Sequence, residues 1–216
     1  MSETKDYKFA LMLGLIIGIF LIPLEYNTGL GTAHRFLYPA SVIGFPILAL
    51  LGLWIGKLLF SRIRGIWQFV KFALVGVSNT AINFGVLNAL VAITGISKGW
   101  PIYLFESIAF VCALFNSYIW NSHWSFESKN HRTTLEFVEF FLVTFIGSQI
   151  NSLIVYLIAT HVHPILNISQ PVWINVANIV GVLVVMFWNF FGFKMIVFRQ
   201  QPQMQPQVTD QSHKSF

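Results

Sequence analysis

Six apolar runs, each close to the about 20 residues that a membrane helix needs, take up most of this chain. They are Phe9 to Leu24, Phe36 to Phe60, Trp67 to Thr94, Ile102 to Asn121, Phe137 to Thr160 and Val172 to Val197. Only 10% of the residues are charged and 56% are hydrophobic, where a soluble domain would carry about a quarter charged. The composition therefore excludes an ordinary soluble domain and predicts an all-α membrane protein with six transmembrane helices. Lys5 and Lys8 before the first run resemble a secretory signal, but Leu24-Glu25-Tyr26-Asn27 offers no small-x-small cleavage site, so the run reads as an uncleaved first helix.

Basic loops are retained on the cytoplasmic side of a membrane. Of the 13 Lys and Arg residues, only Arg35 and Lys98 fall on one side of the six-helix alternation. The other side holds Lys5, Lys8, Lys57, Arg62, Arg64, Lys71, Lys129, Arg132, Lys194, Arg199 and Lys214. This distribution predicts a multi-pass protein of the cytoplasmic membrane with both termini in the cytoplasm. The excess positive charge is accounted for by topology and calls for no nucleic-acid partner.

The chain also repeats itself. Phe69 to Asn83, FVKFALVGVSNTAIN, recurs at Phe137 to Asn151 as FVEFFLVTFIGSQIN. The organisation is then an N-terminal hairpin with a basic connector (residues 1–64), a four-helix domain (65–199) and a tail (200–216). The domain holds repeats 67–126 and 135–198; the tail is rich in Gln and Pro and predicted to be disordered. Each hairpin crosses twice, so the copies share one orientation, and a pseudo-twofold axis along the membrane normal leaves a crevice between them.

Polar side chains at membrane depth are costly and become functional candidates. Asn79 and Asn83 lie one helical turn apart on one face, near mid-membrane; Gln149 and Asn151 reach comparable depth in the second copy. Amides of this kind either join helices through hydrogen bonds or line a cavity. Glu106 stands alone inside an apolar run, able to bind a proton or cation, orient hydroxyls or pair with Lys98, or simply to reach interfacial water. Asn116 and Asn121 accompany Trp120 and Trp124 at the inner end of the fourth run, where an aromatic belt explains the tryptophans but not the amides. In the second copy Asn178 falls opposite Glu106, and Asn189 precedes the closing FGFKMIVF.

The histidines show no metal-ligand pairing on one helix, Cys112 has apolar neighbours that suit packing, and no nucleophile and base stand together. Glu136 and Glu139 sit at a helix start, where the dipole favours them. No catalysis, metal or cofactor is expected.

The pattern FxxVGxxNTxxxF at Phe72 to Phe84, the closing NxxWxF at Asn121 to Phe126, and the weaker second ending FKMIVF resemble the GtrA-like family of small membrane proteins. The resemblance covers about Trp67 to Arg199 and implies four helices and a role in cell-surface polysaccharide synthesis. It implies translocation of polyprenyl-phosphate-linked sugars across the inner membrane. It implicates Gly76, Asn79, Thr80, Asn121, Trp124 and Phe126, with Asn151 as the duplicated amide. Two departures stand out. Ser122 and His123 occupy positions where the family tends to be basic, leaving Lys71 and Lys194, with His123, as the phosphate-attracting groups. The N-terminal hairpin adds two helices that the four-helix pattern does not explain.

The expected partners are thus a polyprenyl-phosphate-linked sugar, membrane lipid, a glycosyltransferase and a second copy of the chain. The competing expectations are a non-transporting scaffold for such a glycosyltransferase and, behind it, a small multidrug-type exporter with Glu106 as its membrane carboxylate. The first copy is richer in amides, which places the sugar headgroup against it and leaves the second copy to close the crevice.

Overall fold

The computed structural model describes residues 3–60, 62–96, 100–127, 134–163 and 170–199; within these, the side chains at 3, 102, 103, 106, 152, 155, 156, 159, 160 and 170–178 lie outside the description. The described residues form helices and no strands: α1 (Glu3–Asn27), a single turn α2 (Leu30–Ala33), α3 (Leu37–Phe60), α4 (Arg64–Thr94), α5 (Trp100–Trp120), α6 (Thr134–His161) and α7 (Gln170–Gly192). The all-helical expectation holds. Among the described residues, four stretches are long and apolar enough to cross a membrane: Thr4–Asn27, Leu37–Phe60, Arg64–Thr94 and Ile179–Val197. Lys98, Lys129, Arg132 and the tail from residue 200 lie outside the described residues.

The N-terminal hairpin is part of the bundle. α1 lies beside α4 and runs the same way: Asp6 meets Lys71 at one end, and Asn27 Nδ2 donates to the Asn88 carbonyl (2.7 Å) at the other. The 21 steps along the helix from Asp6 to Asn27 rise about 31 Å, close to the thickness of a bilayer's hydrocarbon core. Contact of α1 with α3 and with α4 requires glycine, because a Cβ at Gly14 would fall into the backbone of Pro46 on α3, and one at Gly85 on α4 would overlap Phe20. Small residues at such crossings let apolar helices approach closely enough for dispersion contacts to hold them.

The duplicated units appear as two packed hairpins, α4–α5 and α6–α7. Both end alike, in a feature the sequence does not announce. After α5 and α7 the chain makes one π-helical turn, Asn121–Ser125 and Phe193–Val197. Phe126 N donates to Asn121 O (2.9 Å) and Phe198 N to Phe193 O (2.7 Å), each a bond spanning five residues. The wider turns bring the closing phenylalanines together: Phe126 and Phe198 stack at 5.2 Å and 23°. Around them pack Phe72, Phe140, Phe190 and Phe193, with Phe140 stacked on Phe193 at 4.4 Å. Equivalent residues that meet one another mark where an axis relating the copies would pass, and this aromatic cluster closes the space between the hairpins at the basic end.

Candidate functional site

Above the aromatic cluster the two hairpins part, leaving a cleft of about 500 Å³ that draws on α4, α5, α6 and α7. Its walls follow the repeat. Thr80 and its counterpart Ser148 line it, as do Gly76 and Thr144, and Ser117 and Asn189. A cleft lined by paired positions straddles the relation between the copies, as the crevice read from the duplication does. The volume falls in the range of about 300–1,000 Å³ common to small-ligand sites, with apolar walls carrying a few polar groups.

The amides are held differently on the two sides. In the first copy Asn116 Nδ2 donates to Asn79 Oδ1 (2.7 Å) and lies 3.0 Å from Ser78 Oγ, so Asn116 supports Asn79 from behind. Asn79 lines the cleft; Asn116 does not. In the second copy amides pack against glycines. A Cβ at Gly181 would overlap Asn151 Oδ1, and one at Gly147 would lie 2.7 Å from Asn189 Oδ1. Asn189 Oδ1 is buried without a hydrogen-bond partner among the described residues. A desolvated amide oxygen with no donor costs about 1–3 kcal/mol, which an entering hydroxyl can relieve.

Of the other residues singled out from the sequence, Asn83 is half-buried and off the cleft wall. Gln149 is exposed and donates to Ser148 Oγ (3.2 Å), reaching the cleft only through that hydroxyl. Asn121 is fully buried in the first π-turn; its Nδ2 donates to Ser117 Oγ (3.1 Å), a hydroxyl of the cleft wall. Glu106 and Asn178 are on α5 and α7, and their side chains lie outside the described residues. The sequence reading places the headgroup against the first copy. The cleft instead takes Asn79, Thr80 and Ser117 from the first copy and Thr144, Ser148, Asn151 and Asn189 from the second.

The three phosphate-attracting candidates also separate. Lys71 is 2% exposed and away from the cleft. Its Nζ pairs with Asp6 (2.9 Å) and Glu127 (3.3 Å) and faces the Trp67 and Trp124 rings at 5.4 and 5.8 Å. Trp124 is itself fully buried and donates from Nε1 to Asp6 Oδ1 (2.7 Å). Its indole therefore fastens α1 to the first copy and does not face the cleft. His123 is exposed, with Nδ1 2.9 Å from both Ser122 Oγ and Ile119 O. Lys194 is exposed, its ammonium 5.6 Å from the Phe190 ring and against Gly65 at the start of α4. Cys112, expected to pack, faces outward on α5.

Sequence reasoning passed over Ser117, Thr144 and Ser148, since a lone hydroxyl in an apolar helix bonds its own backbone and gives no signal; Thr144 Oγ1 donates to Phe140 O (2.9 Å) and Ser148 Oγ to Phe145 O (2.7 Å). It also passed over Asp6. A signal was present there: an acid just before the first apolar run, at the same end of the bundle as a lysine inside another run.

No solved structure matches the chain. Among curated proteins, the chain is 36% identical over 88 residues to the uncharacterized membrane protein YngA of Bacillus subtilis (strain 168). The match covers 40% of this chain and 55% of that protein, so the chain spans about half the length of this relative. The family profile "GtrA/DPMS, transmembrane domain" matches residues 71–198, which takes in α4 from Lys71 on, α5 to α7, the cleft between the hairpins and both π-turns. With its duplicated hairpins matched from Lys71 to Phe198, this chain belongs to the GtrA/DPMS transmembrane-domain family of membrane proteins.

Proposed function

We propose that the protein moves a polyprenyl-phosphate-linked monosaccharide across the cytoplasmic membrane, its sugar passing through the cleft between the two hairpins. The observation that carries this reading is the cleft itself, an apolar space between the copies with amide and hydroxyl groups on both walls and a buried Asn189 oxygen that meets no donor among the described residues. Neutral amides and hydroxyls exchange hydrogen bonds with sugar hydroxyls at membrane depth without the penalty of a buried charge. Membership of the GtrA/DPMS family supports a function tied to polyprenyl-linked sugars. In this reading all six long helices cross the membrane, the end bearing Lys57, Arg64 and Lys194 faces the cytoplasm, and the aromatic cluster is the inner gate. Asn79, Asn151 and Asn189 contact the sugar, Asn116 and Asn121 position cleft groups, and Lys194 attracts the phosphate; Lys71 and Trp124 fasten α1.

The test is translocation of a labelled polyprenyl-phosphate sugar between leaflets of proteoliposomes holding the purified protein. The expected result is a rate above that of empty liposomes, lowered by Asn189→Leu. A rate equal to empty liposomes sinks the proposal, and if the protein still recruits a polyprenyl-phosphate glycosyltransferase to membranes, a scaffold takes its place.

A further inference from the structure

The polar groups around the cleft fall into two sets by what they have already bonded. Thr80 Oγ1 donates to Gly76 O (3.1 Å), Thr144 Oγ1 to Phe140 O (2.9 Å) and Ser148 Oγ to Phe145 O (2.7 Å). A hydroxyl has one proton, so these side chains can offer a ligand only lone pairs. Ser117 differs. It lines the cleft, its Oγ accepts from Asn121 Nδ2 (3.1 Å), and its proton goes to no group among the described residues. Ser117 therefore keeps a proton to donate.

Asn79 reaches the same state by a longer route. Ser78 is fully buried in α4 and spends its proton on Val75 O (3.0 Å), so whatever faces its oxygen must donate. The group there is Asn116 Nδ2 on α5, at 3.0 Å, which also donates to Asn79 Oδ1 at 2.7 Å. Ser78 thus fixes which way round the Asn116 amide sits, and Asn116 fixes that of Asn79. With its oxygen engaged, Asn79 has Nδ2 left, and that nitrogen meets no acceptor among the described residues. Burial sets Asn121. It is fully buried with Oδ1 unpartnered among the described residues; turned round, it would bury two N–H donors in place of that one oxygen.

We propose that Ser117 Oγ and Asn79 Nδ2 form a donor pair on the first copy that takes an acceptor oxygen of the ligand head, and that Asn116 and Asn121 are the positioning residues that fix its direction. The proposal rests on the reading of the cleft as a sugar path and adds the direction of the hydrogen bonds within it. Thr144 and Ser148 on the facing copy can only accept. The group that suits both walls is a hydroxyl, with its oxygen toward α4 and α5 and its proton toward α6.

Fluorine on a ring carbon accepts a weak hydrogen bond and donates none, whereas hydrogen does neither, so a deoxyfluoro and deoxy pair of sugars reads the donor contact alone. The protein in nanodiscs is photolabelled with an octyl glucoside bearing a diazirine in its alkyl chain, and with analogues carrying fluorine or hydrogen at each ring hydroxyl in turn. Labelled residues are mapped by mass spectrometry, with thermal unfolding as the fold control. At one ring position the fluoro probe should label the cleft helices roughly threefold more than the deoxy probe, the weight of a weak hydrogen bond. In the double variant Ser117→Ala, Asn79→Leu that ratio should fall to about one. If the double variant does not fold, Ser117→Ala alone should still lower it. Asn116→Leu and Asn121→Leu should each lower it too, although neither residue lines the cleft. Loss of packing alone would weaken labelling by both probes and leave the ratio unchanged. Equal labelling by the two probes at every ring position overturns the proposal. So does a ratio that survives removal of the donors, a ratio untouched by both Asn116→Leu and Asn121→Leu, or labelling confined to helices away from the cleft. The probe has no phosphate and no polyprenyl chain and is not transported, so the donor pair can fail while translocation stands, and translocation can fail while the ratio holds.

Discussion

Lys71 and Glu139 hold the same position in the two copies, yet Lys71 is sealed beneath α1 while Glu139 is only half-buried. The contrast repeats at the far end of each unit, where Trp124 is 0% exposed and its counterpart Ile196 is 45% exposed. The first copy therefore carries a buried ion pair, Asp6–Lys71, joined from the solvent side by the half-exposed Glu127 and tied to the N-terminal hairpin. The second copy meets the rest of the bundle mainly through the shared phenylalanines, and its own amides pack on glycines of its own hairpin. A duplication needs no difference between its halves; here an added hairpin broke the equivalence by covering one of them.

The comparison can be broken first at the buried ion pair. Asp6→Ala leaves Lys71 with Glu127 alone and the Trp124 indole without its acceptor, and is expected to destabilise the protein by about 1–3 kcal/mol, whereas Glu139→Ala, at the place equivalent to Lys71, should stay within about 0.5 kcal/mol. Thermal unfolding in detergent measures both, and equal effects would remove the asymmetry between the copies.

Filling the cleft comes next. Gly76 lines it, and a Cβ there meets nothing within 4 Å. Gly76→Leu should keep the unfolding temperature of the parent while translocation falls by at least about tenfold, the equivalent of 1.4 kcal/mol. Unchanged transport with an intact fold would mean that the sugar does not pass between the hairpins.

The smallest effect separates the two classes of amide. Asn116→Leu leaves Asn79 Oδ1 without its donor and should cost about 1 kcal/mol. Asn189→Leu removes an oxygen with no partner among the described residues and should be neutral or slightly stabilising, while still lowering translocation. If Asn189→Leu destabilises as Asn116→Leu does, Asn189 belongs to the packing and is no ligand group.

The positions of the helices were legible from the chain, because apolar runs in a sequence so poor in charge admit little else, and the register of the repeat foretold paired hairpins with a space between them. Asn79, Asn151 and Asn189 were legible for the same reason: an amide in an apolar run is conspicuous. Lys71 and Trp124 are conspicuous too, but the group they meet in the fold, Asp6, is 65 residues from Lys71 and 118 from Trp124 in the chain, a separation no local pattern reveals. The π-turns after Trp120 and Gly192 left no mark that periodicity could register, because one five-residue turn does not alter the apolar pattern.

What the sequence alone determined, then, is local or periodic: helical runs, their duplication, the lopsided charge, and the family to which residues 71–198 belong. The tertiary structure decided which polar groups meet a partner and which line the cleft. That choice depends on close approaches across the bundle, Gly14 to Pro46, Gly85 to Phe20 and Gly147 to Asn189. A hydrogen bond or ion pair forms only within about 3–4 Å, and no pattern along one chain fixes distances of that size between helices far apart in sequence.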